Sequence, residues 1–135
     1  MPLLSRWFAR TAFLALVFSL GIEIALAARA AGIGRLAGPL HLLALHLFTV
    51  GWLLQLIAGV AYWMFPRHPT HPPRGPEWPG WLAYGLLNSG LAFRAWGEPW
   101  RAVGGPGWPL VLSSVLQFGG AVALAALLWP RIQAR

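Results

Sequence analysis

The sequence predicts an all-α protein in which four transmembrane helices pack as a bundle. Hydrophobic residues make up 58% of the 135 residues and charged residues only 10%, with a mean hydropathy of +0.62. A soluble domain carries about 25% charged residues. The apolar residues gather into four long stretches, and prolines lie at the ends of these stretches, where a helix tolerates them. Together these observations predict a small integral membrane protein.

The four spans follow from the length that a bilayer requires, which is roughly 20 apolar residues per helix. The predicted spans cover about residues 7–28, 39–65, 78–95 and 108–129. Arg10 and Glu23 interrupt the first span, whereas the second carries no formal charge. The third span is short. We treat the whole chain, 1–135, as a single four-span domain.

Tryptophan and arginine support this topology. Eight of the nine tryptophans lie near predicted span ends, where an indole N–H can stay hydrated, and only Trp52 lies in mid-span. Six of the ten arginines flank the side that holds both termini, and four flank the other side. This bias predicts a bacterial-type cytoplasmic membrane location with both termini in the cytoplasm.

Composition also excludes several function classes. The chain has no Cys, which rules out disulfides, thiolate metal sites and Cys nucleophiles. The arginines are scattered among segment ends and form no stripe, so we expect membrane lipid and not nucleic acid as the surrounding partner.

Polar side chains inside the predicted spans share one depth, near the presumed outer side. Glu23 lies near the outer end of the first span, and His41 and His46 lie one and two turns inside the second. The outer halves of the third and fourth spans contain Asn88, Ser89, Arg94, Ser113, Ser114 and Gln117. Because ionisable residues are costly in hydrocarbon and are usually functional there, this layer is the candidate site.

Helix geometry restricts what the two histidines can bind. Residues five apart on an α-helix are rotated by about 140°, so His41 and His46 do not readily bind one metal from the same helix. No other predicted span contains His. A cofactor with two His ligands therefore requires a second protein chain. With one His ligand, the cofactor keeps an open position for a gas or water.

The stretch from His46 to Pro66 reads HLFTVGWLLQLIAGVAYWMFP. It resembles the His-bearing helices of heme–copper oxidase subunit I, a family that includes the large subunit of nitric oxide reductase. The positions that carry the resemblance are His46, Ile57, Gly59, Trp63, Phe65 and Pro66. The resemblance implies that His46 ligates a heme. Ala44 occupies the position of the family's second heme ligand, and the copper ligands have no counterpart, so oxidoreductase activity is an open question.

The family's architecture extends the resemblance to the whole chain. Its core subunit has twelve spans in three arcs of four, and this chain resembles one arc. A homotrimer would rebuild the ring by closed cyclic symmetry, with a dimer as the other possibility. The resemblance implies a heme b between protomers, bound by His46 of one protomer and His41 of the next.

Further roles follow from the heme that the resemblance implies. Glu23 or a backbone carbonyl would accept the second N–H of a ligating imidazole. Arg35, Arg94 and Arg101 are candidates to pair with the propionates, and Trp52 would pack on the macrocycle.

We therefore expect a heme-binding membrane protein that transfers electrons or binds a diatomic gas such as O2 or NO, with a respiratory complex as a possible partner. Two alternatives stay open. One is a cofactor-free accessory subunit of a respiratory membrane complex. The other is a small transporter or copper- or zinc-handling membrane protein that uses Glu23, His41 and His46.

Overall fold

The computed structural model describes residues 1–33, 40–65 and 76–132, and within these ranges every regular element is a helix. The four helices are α1 (Leu3–Ala30), α2 (His41–Met64), α3 (Trp78–Ala102) and α4 (Trp108–Ile132). The predicted all-α class with four helices is confirmed. Assembly into a ring of several copies stays a prediction. Arg35 lies outside the described residues.

Three of the four helices, α1, α2 and α4, are long and apolar enough to cross a membrane. This is compatible with the predicted membrane protein. The helix α3 has 25 residues and runs seven residues beyond the predicted end of the third span, through Pro99. It carries Asn88, Arg94 and Glu98, which lower its hydropathy. That α3 also crosses the membrane stays a prediction.

The helix α2 is not α-helical throughout. Its first part, His41–His46, and its last part, Gln55–Met64, are α-helical. Between them lies an eight-residue π-helical segment, Leu47–Leu54, which begins directly after His46. A π-helix pairs residue i with i+5, is rare, and is frequent at functional sites. The apolar composition of the second span gave no sign of this change.

The helices pack as two antiparallel hairpins, α1 with α2 and α3 with α4. Small residues let each pair approach closely, as is common between membrane helices. A Cβ atom placed on Gly51 would lie 2.7 Å from the Cβ of Ala15 across the first hairpin. A Cβ atom placed on Gly120 would lie 2.8 Å from the Cγ of Leu87 across the second. These glycines therefore set the spacing between the paired helices.

The two hairpins meet through an apolar cluster and a buried arginine. The buried cluster consists of Leu4, Phe8, Ala58, Tyr62, Ala83, Leu87 and Leu124. Arg131, which is 1% exposed, donates from Nη2 to the carbonyl oxygens of Tyr62 at 3.0 Å and Phe65 at 2.9 Å. These bonds join the end of α4 to the end of α2, at the opposite end of the bundle from His41 and His46.

The glycine spacing in the second hairpin gives a first prediction. Gly120→Ala forces a methyl group against Leu87 and should lower the free energy of unfolding by about 1–3 kcal/mol. Gly119→Ala is the matched control, because its Cβ would meet only the side chain of Leu86 at 3.6 Å. The control should be neutral or stabilising by up to about 1 kcal/mol. Unfolding in mild detergent measures both, and equal stabilities would contradict the close packing.

Candidate histidine site

The candidate site lies at the histidine end of the bundle, defined here as the end that contains the last turns of α1 and α3 and the first turns of α2 and α4. The structure brings Glu23 of α1 and His41 of α2 together, with Glu23 Oε1 and His41 Nδ1 3.0 Å apart. Their side chains are 44% and 71% exposed. Glu23 is thus the neighbour of His41 and not of the heme ligand that the resemblance implies, His46.

His46 makes a hydrogen bond within its own helix. Its Nδ1 lies 2.9 Å from the carbonyl oxygen of Leu42, and its ring is half-buried. A carbonyl oxygen can only accept, so Nδ1 carries the proton and Nε2 keeps its lone pair. In the same way, a carboxylate oxygen of Glu23 can accept a hydrogen bond from Nδ1 of His41. In a neutral imidazole that donates from Nδ1, the nitrogen that can bind a metal is Nε2.

His41 and His46 have different surroundings in the structure. His41 contacts Glu23 of α1. His46 is followed directly by the π-helical segment, whose Val50 packs against the apolar cluster between the hairpins. The two histidines lie five residues apart on the α-helical first part of α2, a spacing that rotates them by about 140°. That they bind ligands on different sides stays a prediction.

Two further hydrogen bonds fix the first turns of α2. The hydroxyl of the buried Ser19 on α1 donates to the carbonyl oxygen of Ala44 at 2.8 Å. The hydroxyl of Thr49 donates to the carbonyl oxygen of Leu45 at 2.8 Å. The histidine end of α2 is thus attached to α1 through Ser19 and Glu23, directly before the π-helical segment begins.

A second polar cluster joins α3 to α4 at the histidine end. Arg94 pairs with Glu98, with Nη1 and Oε1 3.0 Å apart, and their side chains are only 12% and 8% exposed. Arg94 also donates from Nη2 to Ser114 Oγ at 3.3 Å and from Nε to Ser113 Oγ at 3.4 Å. Arg94 therefore has a carboxylate partner within the chain. A heme propionate bound to Arg94 would share the guanidinium group with Glu98.

Trp52 lies within the π-helical segment. Its ring packs against Phe48 with ring centroids 4.7 Å apart at an interplanar angle of 54°. Its indole Nε1 is buried and makes no hydrogen bond. A buried donor without an acceptor is uncommon, so this N–H is able to serve a ligand. The predicted packing of Trp52 on a macrocycle stays a prediction.

A third polar group lies deeper, where three helices meet. The side-chain amides of Gln55 and Asn88 pair with each other, with both N–O distances 3.2 Å. Thr11 Oγ1 lies 2.9 Å from Gln55 Oε1. The available signal in the sequence was the presence of neutral polar residues inside all three spans. The pairing could not be predicted, because it requires the register between helices.

Glu98 was also missed from sequence. It lies three residues past the predicted end of the third span, and its distance of four residues from Arg94 was the available signal. The i, i+4 spacing places both side chains on one face of α3, where they meet.

The donors at the histidine end are two imidazoles and one carboxylate. The described residues contain no group of three or more His, Cys, Asp or Glu side chains able to hold a metal ion. A protein-bound zinc ion takes three or four protein ligands, which this end of a single protomer does not bring together. A heme supplies its equatorial nitrogens itself, so one or two imidazoles complete its iron.

Comparisons of the chain with protein-family models, with curated proteins and with solved structures find no match. The resemblance of the second span to heme–copper oxidase helices therefore stays a prediction, and the function is argued from the site.

The buried ion pair in the second hairpin gives a second prediction. Arg94→Leu leaves the carboxylate of Glu98 buried without its partner and should lower the free energy of unfolding by about 3–5 kcal/mol. The double variant Arg94→Leu/Glu98→Leu should recover much of that loss, because no unpaired charge remains. Arg101→Leu, at an exposed position, is the control and should change stability by less than about 0.5 kcal/mol. A double variant that loses as much stability as Arg94→Leu, or more, would contradict a paired cluster.

Proposed function

We propose that this chain is a heme-binding integral membrane protein and that His46 supplies an axial ligand to the iron. The observation that carries the proposal is the hydrogen bond from His46 Nδ1 to the carbonyl oxygen of Leu42. Histidines that bind metals usually donate the other ring N–H to a carbonyl or a carboxylate, which fixes the tautomer and the ring orientation. His46 has this arrangement before any ligand binds.

The surroundings of His46 fit a porphyrin better than a bare ion. Val50 and Leu54, four and eight residues beyond His46, belong to the apolar packing between the hairpins. An apolar macrocycle packs favourably against such a surface. When bound, the heme supplies a redox-active iron, and the chain supplies the imidazole, its orientation and the apolar environment.

A second axial imidazole from a predicted span would come from another copy of the chain, because only the second span contains His. The side chain of His41 is 71% exposed in the single protomer. Its carboxylate partner Glu23 orients the ring with Nε2 outward. We infer that His46 of one protomer and His41 of the next hold a heme b between them. The family resemblance favours three protomers in a ring, with a dimer as the smaller possibility.

The number of axial imidazoles decides the role. Two imidazoles saturate the iron, which suits electron transfer. One imidazole leaves a position at which O2 or NO binds. In either case Arg94 and Arg35 are the proposed partners of the propionates, and Trp52 is the proposed neighbour of the ring.

The pair formed by Glu23 and His41 favours a second candidate, a copper- or zinc-handling membrane protein. A carboxylate and an imidazole 3.0 Å apart are two ligands that a divalent ion accepts. Such an ion would complete its coordination with side chains from another copy. Metal analysis of heme-free purified protein distinguishes this candidate from the first.

A third prediction tests the heme. Protein purified in detergent from heme-supplied cells should show a Soret band, and His46→Ala should abolish it because the iron loses its ligand. His68→Ala is the matched control, since it removes an imidazole outside the predicted spans, and it should keep the band. Folded wild-type protein that stays colourless after heme addition would refute the proposal.

A fourth prediction concerns His41 as the proposed second axial ligand. His41→Ala should convert a six-coordinate spectrum to a five-coordinate one that binds carbon monoxide. Glu23→Gln keeps a hydrogen-bond acceptor for His41 but removes the negative charge, so the heme reduction potential should rise by tens of millivolts. Glu77→Gln, an exposed carboxylate, is the control. A potential and spectrum unchanged in both His41→Ala and Glu23→Gln would remove this pair from the site.

A further inference from the structure

The contacts between α1 and α2 do not advance evenly along the two helices. In order from the histidine end, the contacting pairs are Glu23 with His41, Ser19 with Ala44, Ala15 with Gly51, Thr11 with Gln55, and Phe8 with Gly59. Each step along α1 covers three or four residues. The steps along α2 cover three, seven, four and four residues. The single long step runs from Ala44 to Gly51 and enters the π-helical segment.

This step contains more residues than an α-helix could place there. Four residues of α1 rise by about 6 Å, whereas seven residues of α-helix rise by about 10.5 Å. A π-helix has more residues per turn than an α-helix and rises less for each residue. The π-helical residues from Leu47 to Gly51 therefore take up part of the surplus. The contact at Ala44 is made by its carbonyl oxygen, which points toward the end of α2 and accounts for a further part.

An α-helical segment would move the histidine end to a different register. If the pairing of Thr11 with Gln55 continued through an unbroken α-helix, His41 would face Ala25 and Ala44 would face Ile22. Neither residue has a polar side chain. The observed register instead gives His41 its carboxylate and gives the carbonyl oxygen of Ala44 a hydroxyl donor. These two polar contacts favour the π-helical form, because polar groups in apolar surroundings are costly without partners.

We propose that Leu47–Leu54 is a register switch for the histidine end of α2. The contacts of Glu23 with His41 and of Ser19 with Ala44 hold the segment in its π-helical form. When both contacts are lost, the segment becomes α-helical, and His41 and His46 move outward along α1 by about 3 Å. The switch therefore sets the depth and rotation at which both imidazoles are presented. This inference goes beyond heme binding, because it concerns the chain without a ligand.

The test is a pair of distances measured by pulsed electron paramagnetic resonance in nanodiscs. The chain has no Cys, so spin labels can be placed by substitution alone. Leu42→Cys with Ile57→Cys brackets the segment at exposed positions of α2, and Val111→Cys with Ala126→Cys is the matched pair on the uninterrupted α4. Both pairs are 15 residues apart, which is about 22 Å in an α-helix.

In the otherwise unchanged protein, the α2 distance should be shorter than the α4 distance by about 3 Å. Ser19→Ala with Glu23→Ala should lengthen the α2 distance to the α4 value, while the α4 distance stays the same. Glu23→Gln alone, which keeps an acceptor for His41, should leave the α2 distance short. A short α2 distance that persists in the double variant, or an α2 distance equal to that of α4 from the start, overturns the proposal.

The α4 pair also reports folding. If the double variant loses the α4 distance, Ser19→Ala with His41→Ala decides the question, because it removes the same two contacts while Glu23 stays and should also lengthen the α2 distance. A single short distance would then overturn the proposal. No heme is needed for these measurements. The register-switch proposal and the heme-binding proposal can therefore be refuted independently of each other.

Discussion

The structure depends on one constraint, which is that polar groups in apolar surroundings need partners within the chain. An unpaired polar group in such surroundings costs several kcal/mol. Among the described residues, three pairs of side chains meet this constraint: Glu23 with His41, Gln55 with Asn88, and Arg94 with Glu98. Each pair except the last joins two helices directly, and the last is attached to α4 by two serines. The helices are aligned along one another so that all three pairs form at the same time.

Two kinds of contact stabilise the bundle, one within the hairpins and one between them. Within each hairpin, small residues such as Gly51 and Gly120 bring the helices close enough for continuous packing. Between the hairpins, the joining contacts are an apolar cluster, one amide pair and the buried Arg131. The histidine site lies at the end of α2 where the polar contacts to α1 and the packing toward α3 are both present.

The features that depend on hydropathy could be predicted from the sequence. The features that depend on the register between packed helices could not. Four apolar stretches predicted four helices, and Glu23 and His41 were placed at one depth, where the structure brings them into contact. The π-helical segment was not predicted, because Leu47–Leu54 is as apolar as an ordinary α-helix and differs only in its fit against α1. The acceptor for His46 was not predicted uniquely either, because Glu23 and a backbone carbonyl were equally available on sequence grounds. The partner of Arg94 was missed because α3 continues past its last apolar turn.

The spacing of the two imidazoles on α2 has a consequence for the proposed assembly. A bridge from His46 on one copy to His41 on another would join unlike surfaces, so the contact would be head-to-tail. Each copy would then offer a different surface to each of its two neighbours. Such contacts close into a ring only if the rotation that relates neighbouring copies divides a full turn, and otherwise they continue as a filament. The rotation of one helix about its own axis would thus fix how many chains an assembly contains.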